Sequence, residues 1–424
     1  MRSKHLLLVS VRCQQCQDNG ATQRNKFAFG ITIFETVARL HSFKGETPMS
    51  LFKTAGLLIA AFTSISSALA SDIVVGQVAP LSGLLAPTGN HVRAGAQIYF
   101  DAVNASGGIN GQKIRLVSKD DGYKVPETIK QTKALIEEVQ PVALFGYVGT
   151  GNVEAVLKEK ILDENGIPLV MVRTGASSLA KSGNPWMFIT RAGYAGEINK
   201  IFQLYSATGY KNYAVFYQND PFGLDGLASA EALSEKYGSK IVAKGSYEKN
   251  TTEVANAVKT ITAAAPHAVI MVSNTAASAA FIKQARDGGL RTQFIAISTT
   301  DATQLVDLIG APTAAGVAIT QVVPHPENRT VPLSKEFQDN FAKFKPQGVL
   351  FNHALLEGYV GAKVLVEGLR RAGPGATRRK LRDALEQIKN FDTGDLLISY
   401  SPSNRAGTTF ADINIISNSG KLLK

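Results

Sequence analysis

Residues 144–162 read LFGYVGTGNVEAVLKEKIL, an apolar run that ends among glycines and continues at helical spacing. The apolar run predicts a buried β-strand, and Val153, Val156, Leu157 and Ile161 mark one face of a helix. A strand, a tight turn and a helix in this order are typical of α/β proteins. The first N–H groups of such a helix have no partner within it and attract anions. The turn therefore binds an anion, or it is a plain tight turn with a water molecule at the helix end.

Two phosphate-binding motifs fail at this turn. Residues 146–151 have the glycine spacing of a P-loop, but Asn152 and Val153 stand where that motif requires Lys and Ser or Thr. The dinucleotide fingerprint requires a third glycine at the position that Glu154 occupies. The sequence therefore favours a small anion, such as a carboxylate, over a nucleotide.

Short apolar runs alternate with helical patterns over most of the chain. Near-continuous apolar strands, each followed by a helix, indicate parallel sheets covered on both faces. One group of strands ends near residues 186–190, and a second group begins at Tyr213. The sequence thus predicts an α/β protein with two lobes and a cleft between them. We expect the first lobe to comprise residues 72–190 plus 324–392, and the second lobe to comprise residues 191–323 plus 393–424.

The N-terminal region carries the features of an export signal. Residues 49–70, MSLFKTAGLLIAAFTSISSALA, combine a start-like Met, a positive charge, an apolar core and a small-residue cleavage site ending at Ala70. We interpret residues 1–48 as a non-native extension or the product of a misassigned start. Both cysteines of the chain lie in that extension. We therefore expect an exported mature protein without disulfides.

The charge pattern argues against nucleic-acid binding. The chain has a formal net charge of +11, and most of its charges are scattered. A dense basic cluster spans residues 370–382 without interleaved aromatic residues, which is typical of a solvated helix face. No apolar stretch after Ala70 reaches the length of a membrane-spanning helix.

The predicted strand ends carry hydroxyls, amides and glycines with few charges. Ligands of parallel α/β sheets bind beyond these carboxyl ends, and such groups suit hydrogen bonding to a small polar molecule. Neither a nucleophile elbow nor a His-Glu-x-x-His pair occurs. We therefore predict a binding protein that is not an enzyme and uses neither a cofactor nor a metal. The polar residues at these ends include Ser82, Thr88, Thr150, Arg173, Ser177, Asn250, Thr251, Asn274, Thr299 and Asp301.

Four segments carry a resemblance to a known family. They read DIVVGQVAPLSG, HVRAGAQIYFDAVNASGGINGQKIRLVSKDD, YQNDPFGLDGL and FIKQARDGGLRTQFIA. They resemble the periplasmic branched-chain amino acid-binding family, and the resemblance extends over residues 72–416. It implies the type I periplasmic binding protein fold, with two Rossmann-like lobes joined by three hinge strands. It also implies a monomeric periplasmic solute receptor, which delivers a small-molecule ligand to an ABC permease and its ATPase.

The resemblance also implies a set of ligand-binding residues. Thr150 matches the position whose hydroxyl and N–H bind the ligand carboxylate. Ala176 and Ser177 match a loop that offers a carbonyl to the ammonium and a hydroxyl to the carboxylate. Phe222 matches a position that covers the ligand from the second lobe. The complete set of expected ligand-binding residues is Ser82, Gly149, Thr150, Gly151, Arg173, Ala176, Ser177, Phe222, Asn250, Thr251 and Asp301.

The ammonium site departs from the family pattern. Amino-acid binders of this family often place an acidic residue where Asn250 or Thr251 stands here. A buried ammonium without a carboxylate partner is unfavourable. Either Asp301 supplies that partner, or the ligand has no ammonium group. Arg173 either binds a second acidic group on the ligand or forms a salt bridge at the lobe edge.

A ligand-sensing regulatory protein of the same fold is the alternative function. It would need an attached DNA-binding or signalling segment, and residues 1–48 show no helix-turn-helix pattern with a plausible core. A dinucleotide-dependent enzyme is weakly supported, because both phosphate motifs fail.

Overall fold

The computed structural model describes residues 71–423, and the predicted signal at residues 49–70 lies outside this part of the chain. The strands are β1 (Ile73–Ala79), β2 (Ile114–Asp120), β3 (Ala143–Phe145), β4 (Leu169–Val170), β5 (Met187–Phe188), β6 (Asn212–Gln218), β7 (Lys240–Tyr247), β8 (Ala268–Val272), β9 (Gln293–Ala296), β10 (Ala318–Gln321), β11 (Phe391–Asp392), β12 (Leu397–Ile398), β13 (Asp412–Ile416) and β14 (Leu422–Leu423). The helices are α1 (Ala86–Ala105), α2 (Val125–Val139), α3 (Thr150–Lys158), α4 (Ile161–Asn165), α5 (Ser177–Ala180), α6 (Tyr194–Ala207), α7 (Pro221–Lys236), α8 (Ala255–Ala263), α9 (Thr275–Asp287), α10 (Ala302–Ile309), α11 (Ala311–Ala314), α12 (Pro332–Phe344), α13 (His353–Ala372) and α14 (Arg378–Glu386).

Two sheets form the centres of two lobes. The first sheet is parallel throughout, with strand order β2-β1-β3-β4-β5. The second has the order β14-β13-β10-β9-β8-β6-β7, with five parallel strands and an antiparallel edge formed by β13 and β14. The strand order reverses between β1 and β3 in the first sheet and between β6 and β8 in the second. Ligands of open α/β sheets bind at such switch points.

The apolar runs seen in the sequence become buried strands because helices cover both sheet faces. All five residues of β8 are buried, as a central parallel strand requires. The helix stripes are buried as well. Val92, Ala96 and Phe100 of α1 are fully buried, and so are Val153 and Val156 of α3.

Close helix packing fixes one side of the first lobe. A Cβ atom added to Gly95 of α1 would lie 1.9 Å from the Leu355 carbonyl oxygen of α13. No side chain fits at this distance, so glycine allows the two backbones to approach. This contact places the beginning of α13, including Glu357, beside the first sheet.

The chain crosses between the two sheets three times within residues 71–423. The crossings follow β5, β10 and β12. The first and third run side by side, since the Ile189 N–H donates to the Arg405 carbonyl at 2.9 Å and the Gly407 N–H donates to Ile189 at 2.8 Å. Paired strands of this kind can act as a hinge between lobes.

The predicted boundary of the second lobe at residue 393 differs from the packing. Leu396, Ile398 and Tyr400 lie in the core of the first lobe, and the chain joins the second sheet only at β13. The segment DLLISYSP, residues 395–402, contains β12, whose partner is the two-residue strand β11. Sequence alone does not reveal such a short pairing.

Within residues 71–423, no helix is both long and apolar enough to span a bilayer.

Candidate functional site

A cavity lies between the lobes where the strands of both sheets end. It encloses about 20 Å³, which is room for about one water molecule. A larger ligand therefore requires the lobes to move apart before it enters. The first-lobe side of the lining is Leu85, Thr88, Tyr123, Val148, Gly149 and Arg173, and the second-lobe side is Tyr194, Phe222, Asn274 and Thr299.

The turn that precedes α3 forms one wall of this cavity. Gly149 has φ +99°, and a Cβ atom there would lie 2.4 Å from Cε2 of Tyr123. Glycine is therefore required both for the backbone conformation and for the closeness of the tyrosine ring. Among the described residues, no side chain caps the N-terminus of α3. Its first N–H groups also lack partners within the helix, so they are available to an anion.

Hydroxyl groups surround the beginning of α3. The side chain of Thr150 is fully buried, and its Oγ1 lies 2.6 Å from Oγ1 of Thr174. The Tyr194 hydroxyl donates to the same Thr174 oxygen at 3.3 Å. Burial raises the pKa of Tyr194 above its ordinary value, so its hydroxyl stays protonated and can donate. These hydroxyls can add hydrogen bonds to a group held by the α3 N-terminus.

Arg173 belongs to a buried group of two arginines and two glutamates. Its Nη2 lies 3.4 Å from Oε1 of Glu357 and 3.2 Å from the Ser298 carbonyl oxygen. Arg191 Nη1 lies 3.3 Å from Oε2 of Glu357, and its Nη2 lies 2.9 Å from Oε1 of Glu197. All four side chains are at most 5% exposed. The group has no net charge, as burial requires.

The shortest pairing in this group is between Arg191 and Glu197. Burial lowers the pKa of Arg191, but the carboxylates of Glu357 and Glu197 raise it above its ordinary value. Glu197 also accepts hydrogen bonds from the Ser298 N–H at 2.8 Å and from the Thr320 hydroxyl. Glu197 is thus fully occupied by structural partners. Arg173 shares its only carboxylate partner, Glu357, with Arg191 among the described residues.

A second set of contacts bridges the cleft on its opposite side. Lys249 of the second lobe donates to Oδ1 of Asn152 at 2.6 Å and lies 3.8 Å from the ring centre of Tyr123. Gln218 donates to the Tyr123 hydroxyl at 3.2 Å. Burial lowers the pKa of Lys249, and the carboxylate of Asp220 partly offsets this shift. We call these residues, Tyr123, Asn152, Gln218 and Lys249, the cleft latch.

A family comparison identifies this architecture. The family model described as periplasmic binding protein matches residues 72–413. The chain belongs to the periplasmic binding protein family. The resemblance predicted from the sequence is therefore confirmed, together with the type I fold. Proteins of this family are ligand-binding and transport receptors, so the chain is a binding protein and not an enzyme.

Individual relatives agree with this assignment. The chain is 26% identical over 365 residues to the Leu/Ile/Val-binding protein homolog 7 of Brucella suis, covering 81% of this chain and 88% of the relative. A solved substrate-binding periplasmic protein from Ralstonia solanacearum is 34% identical with a TM-score of 0.79, covering 83% of this chain and 99% of that chain. A possible leucine/isoleucine/valine-binding protein from Rhodopirellula baltica is 27% identical with the same TM-score, covering 85% and 98%.

Three of the sequence-predicted site residues of this periplasmic binding protein line the cavity. They are Gly149, Arg173 and Phe222. The ring of Phe222 meets the ring of Tyr194 edge-on at 5.3 Å. Thr150 is not part of the lining; it follows the lining residue Gly149, and its hydroxyl contacts that of Thr174. Arg173 forms a salt bridge with Glu357, and both side chains of this pair are buried.

The nearby turn residues make structural contacts. A Cβ atom added to Gly151 would lie 3.6 Å from Pro221 of the second lobe. The Ala176 N–H donates to Oγ1 of Thr174 at 3.3 Å. The Ser177 N–H donates to Oδ2 of Asp225 at 2.8 Å, which adds another contact between the lobes.

The remaining expected residues lie outside the cavity lining. The Ser82 N–H donates to Asp120 at 3.2 Å. Asn250 donates to the Tyr123 carbonyl at 3.5 Å, and Thr251 donates to the Glu248 carbonyl at 2.8 Å. The last of them, Asp301, caps α10 by accepting from the Gln304 N–H at 2.8 Å. It borders a separate cavity of about 10 Å³, which Arg173 also borders.

Several lining residues are not in the ligand-binding set expected from the sequence. Thr88, Asn274 and Thr299 were recognised as polar residues at predicted strand ends but were not included in that set. No local pattern separates Tyr123 and Tyr194 from core aromatics. The lining residues outside the expected set are Leu85, Thr88, Tyr123, Val148, Tyr194, Asn274 and Thr299. No cluster of three or more metal-binding side chains occurs within the described part of the chain.

Proposed function

We propose that this protein is the periplasmic solute receptor of an ABC importer and binds an amino acid or a related small carboxylate between its lobes. The observation that carries the proposal is the uncapped N-terminus of α3 beside a cavity between the lobes. Membership of the periplasmic binding protein family supports it. The partners would be a membrane permease and its ATPase, and the receptor would act as a monomer exported by the signal at residues 49–70.

The ligand carboxylate would bind at the turn formed by Gly149, Thr150 and Gly151. The N–H groups at the helix start and the Thr150 hydroxyl supply donors, and the positive end of the helix dipole favours a negative charge there. The second lobe would then close over the ligand with Phe222. Closure excludes water, which strengthens the electrostatic contacts within the cavity.

Lobe closure would be reversible because the lobes meet through polar contacts. The cleft latch and the hydrogen bond from Ser177 to Asp225 both join the lobes. Each contact is exchanged for water when the lobes separate, so its net contribution is only about 1 kcal/mol. Ligand binding between the lobes would add to these contacts and shift the population toward the closed form. The closed form would be the one presented to the permease.

A thermal-shift screen of the purified protein tests the receptor function. The probes are branched-chain and aromatic amino acids, dicarboxylates, and carboxylates without an amine. A probe at 100 times its dissociation constant adds roughly 2.7 kcal/mol to the stability of the folded state. We expect at least one carboxylate to raise the melting temperature clearly. The proposal fails if none of these probes does so.

The role of the turn is tested by Thr150→Ala with Thr150→Ser as the matched control. Loss of the hydroxyl should weaken carboxylate binding by about 1 kcal/mol, roughly fivefold, whereas serine keeps the donor. Isothermal titration calorimetry measures both affinities. Unchanged binding by Thr150→Ala would exclude the hydroxyl from the carboxylate site.

A further inference from the structure

We infer that the ligand is a carboxylate without an ammonium group and with a compact apolar body, and that Arg173 selects it. This inference rests on the proposed receptor function and narrows its ligand class. It follows from the charges that face the cavity, from the pairing of the acidic residues near it, and from the side chains available to contact the body of the ligand.

The described cavity lining contains one charged side chain, Arg173, and no aspartate or glutamate. An α-amino acid would bring a carboxylate and an ammonium into this space together. The carboxylate has the α3 N-terminus and a guanidinium available to it. The ammonium would have no anionic partner in the lining, and an unpaired buried charge is strongly unfavourable.

Two acidic residues near the cleft have both of their carboxylate oxygens engaged. Asp220 caps α7, accepting from the N–H groups of Phe222 and Gly223, and its other oxygen accepts from Gln218 at 2.8 Å. Asp121 accepts from the Tyr123 N–H at 2.8 Å and from Thr128 at 2.7 Å.

Three further acidic residues lie near the cleft. Glu357 binds two arginines, and Asp301 caps α10 outside the cavity lining. Asp225 binds the Ser177 N–H through one oxygen, and its other oxygen is buried without a hydrogen-bond partner among the described residues, but Asp225 does not line the cavity. None of the acidic residues near the cleft therefore faces the cavity with a carboxylate free for an ammonium.

Arg173, in contrast, has donor capacity left. Both of its hydrogen bonds to the protein leave from Nη2, at 3.2 and 3.4 Å. Its Nε is buried and has no hydrogen-bond partner among the described residues. The side chain is 5% exposed and lines the cavity. A guanidinium in this condition is suited to an additional acceptor, and its planar donors match a carboxylate.

The rest of the lining suits an apolar ligand body. Tyr123, Tyr194 and Phe222 bring three aromatic rings to the cavity from both lobes, and Leu85 and Val148 add aliphatic surface. The amide of Asn274 is occupied, since its nitrogen donates to the Tyr247 hydroxyl at 3.0 Å and its oxygen accepts from the Ala277 N–H. The polar groups of the site would thus contact the ligand carboxylate, and the apolar side chains would contact the rest of the ligand.

Calorimetry with matched probes tests the inference on the full chain. One set is 4-methylpentanoate, 4-methyl-2-oxopentanoate and leucine, and the other is 3-phenylpropanoate, phenylpyruvate and phenylalanine. We expect an amine-free acid of at least one set to bind at least 100-fold more tightly than its amino acid. An amino acid that binds as tightly as its amine-free counterparts would overturn the inference and leave the receptor function standing. If no probe of either set binds, the inference fails, and the receptor function is then decided by the wider thermal-shift panel.

The carboxamide of the tightest-binding acid tests the charge without altering the protein. We expect the amide to bind at least 100-fold more weakly than the acid, and equal binding would remove the role assigned to Arg173. The substitution Arg173→Met should weaken acid binding at least 30-fold, whereas Arg93→Lys, at an exposed position of α1, should leave it unchanged. If leucine binds and Asp301→Asn abolishes that binding, Asp301 holds an ammonium and the inference is wrong.

Discussion

Replacement of Glu357 with glutamine is expected to change stability and ligand affinity in opposite directions. The Glu357 carboxylate is 4% exposed and pairs with Arg173 at 3.4 Å and with Arg191 at 3.3 Å. Its neutralisation leaves two buried guanidinium groups with the single carboxylate of Glu197. Loss of one partner of a buried ion pair costs about 3–5 kcal/mol. The amide oxygen still accepts a hydrogen bond, so we expect a loss of about 2–4 kcal/mol in the free energy of unfolding.

The same change should tighten the binding of an amine-free acid. Glu357 repels a ligand carboxylate and occupies part of the Arg173 guanidinium. Two unit charges 4 Å apart interact by about 4 kcal/mol at an effective dielectric constant of 20. The ligand carboxylate would lie farther than 4 Å from Glu357, so we take about one third of this 4 kcal/mol as the repulsion. The expected gain of about 1.4 kcal/mol corresponds to roughly tenfold tighter binding.

Urea unfolding without ligand measures the stability, and calorimetry with the tightest-binding acid of the panel measures the affinity. Glu386→Gln is the matched control, because Glu386 pairs with Arg405 at 3.1 Å and Arg382 at 2.7 Å away from the cavity. This control should lose stability with unchanged affinity. If Glu357→Gln loses stability without any gain in affinity, Arg173 does not provide the counter-charge of the ligand.

Three further substitutions test other parts of the account. Lys249→Met keeps the apolar stem but removes the contacts of the Lys249 ammonium with Asn152 at 2.6 Å and with the Tyr123 ring centre at 3.8 Å. Stopped-flow experiments should therefore show about fivefold faster ligand release. An unchanged release rate would exclude a role of Lys249 in closure. Gly149→Ala should lower the free energy of unfolding in urea by about 2–4 kcal/mol and weaken ligand binding. The control Gly209→Ala, at a position with φ +94° but open space around it, should lose less stability and no ligand affinity. Equal losses of stability in the two variants would contradict the predicted contact with Tyr123. Burial, and secondarily the charge of His325, lower the pKa of His353 to about 3. The unfolded chain therefore binds a proton that the folded chain does not, and stability falls as the pH drops from about 6.5 toward 3. His353→Gln should remove about 1–2 kcal/mol of the stability loss between pH 7 and pH 5, and parallel pH profiles of stability for the two proteins would contradict this.

Much of the fold was predictable because its strands are parallel and buried on both faces. Such strands appear as continuous apolar runs, and the helices between them show a clear apolar face. The two-residue strands β4, β5, β11 and β12 carry too few residues for a pattern of their own. This explains why the segment from Leu396 to Tyr400 was assigned to the second lobe rather than the first.

The site was only partly predictable. Gly149, Arg173 and Phe222 follow strands within four residues, and the carboxyl ends of parallel strands meet at one edge of each sheet. Tyr123 is equally close to the end of β2, but no local pattern separates it from a core aromatic residue. Tyr194 begins α6, six residues after the short strand β5. The pairing of Arg173 with Glu357 joins residues 184 positions apart, and no local pattern encodes a contact of this range.

The most direct test of the central claim is a crystal structure of the protein with its tightest-binding acid. We predict that the ligand lies between the lobes, with its carboxylate oxygens within about 3.2 Å of the N–H groups at the start of α3 and Arg173 facing the same cavity. An acid bound elsewhere, or a carboxylate turned away from the α3 N-terminus, would contradict it.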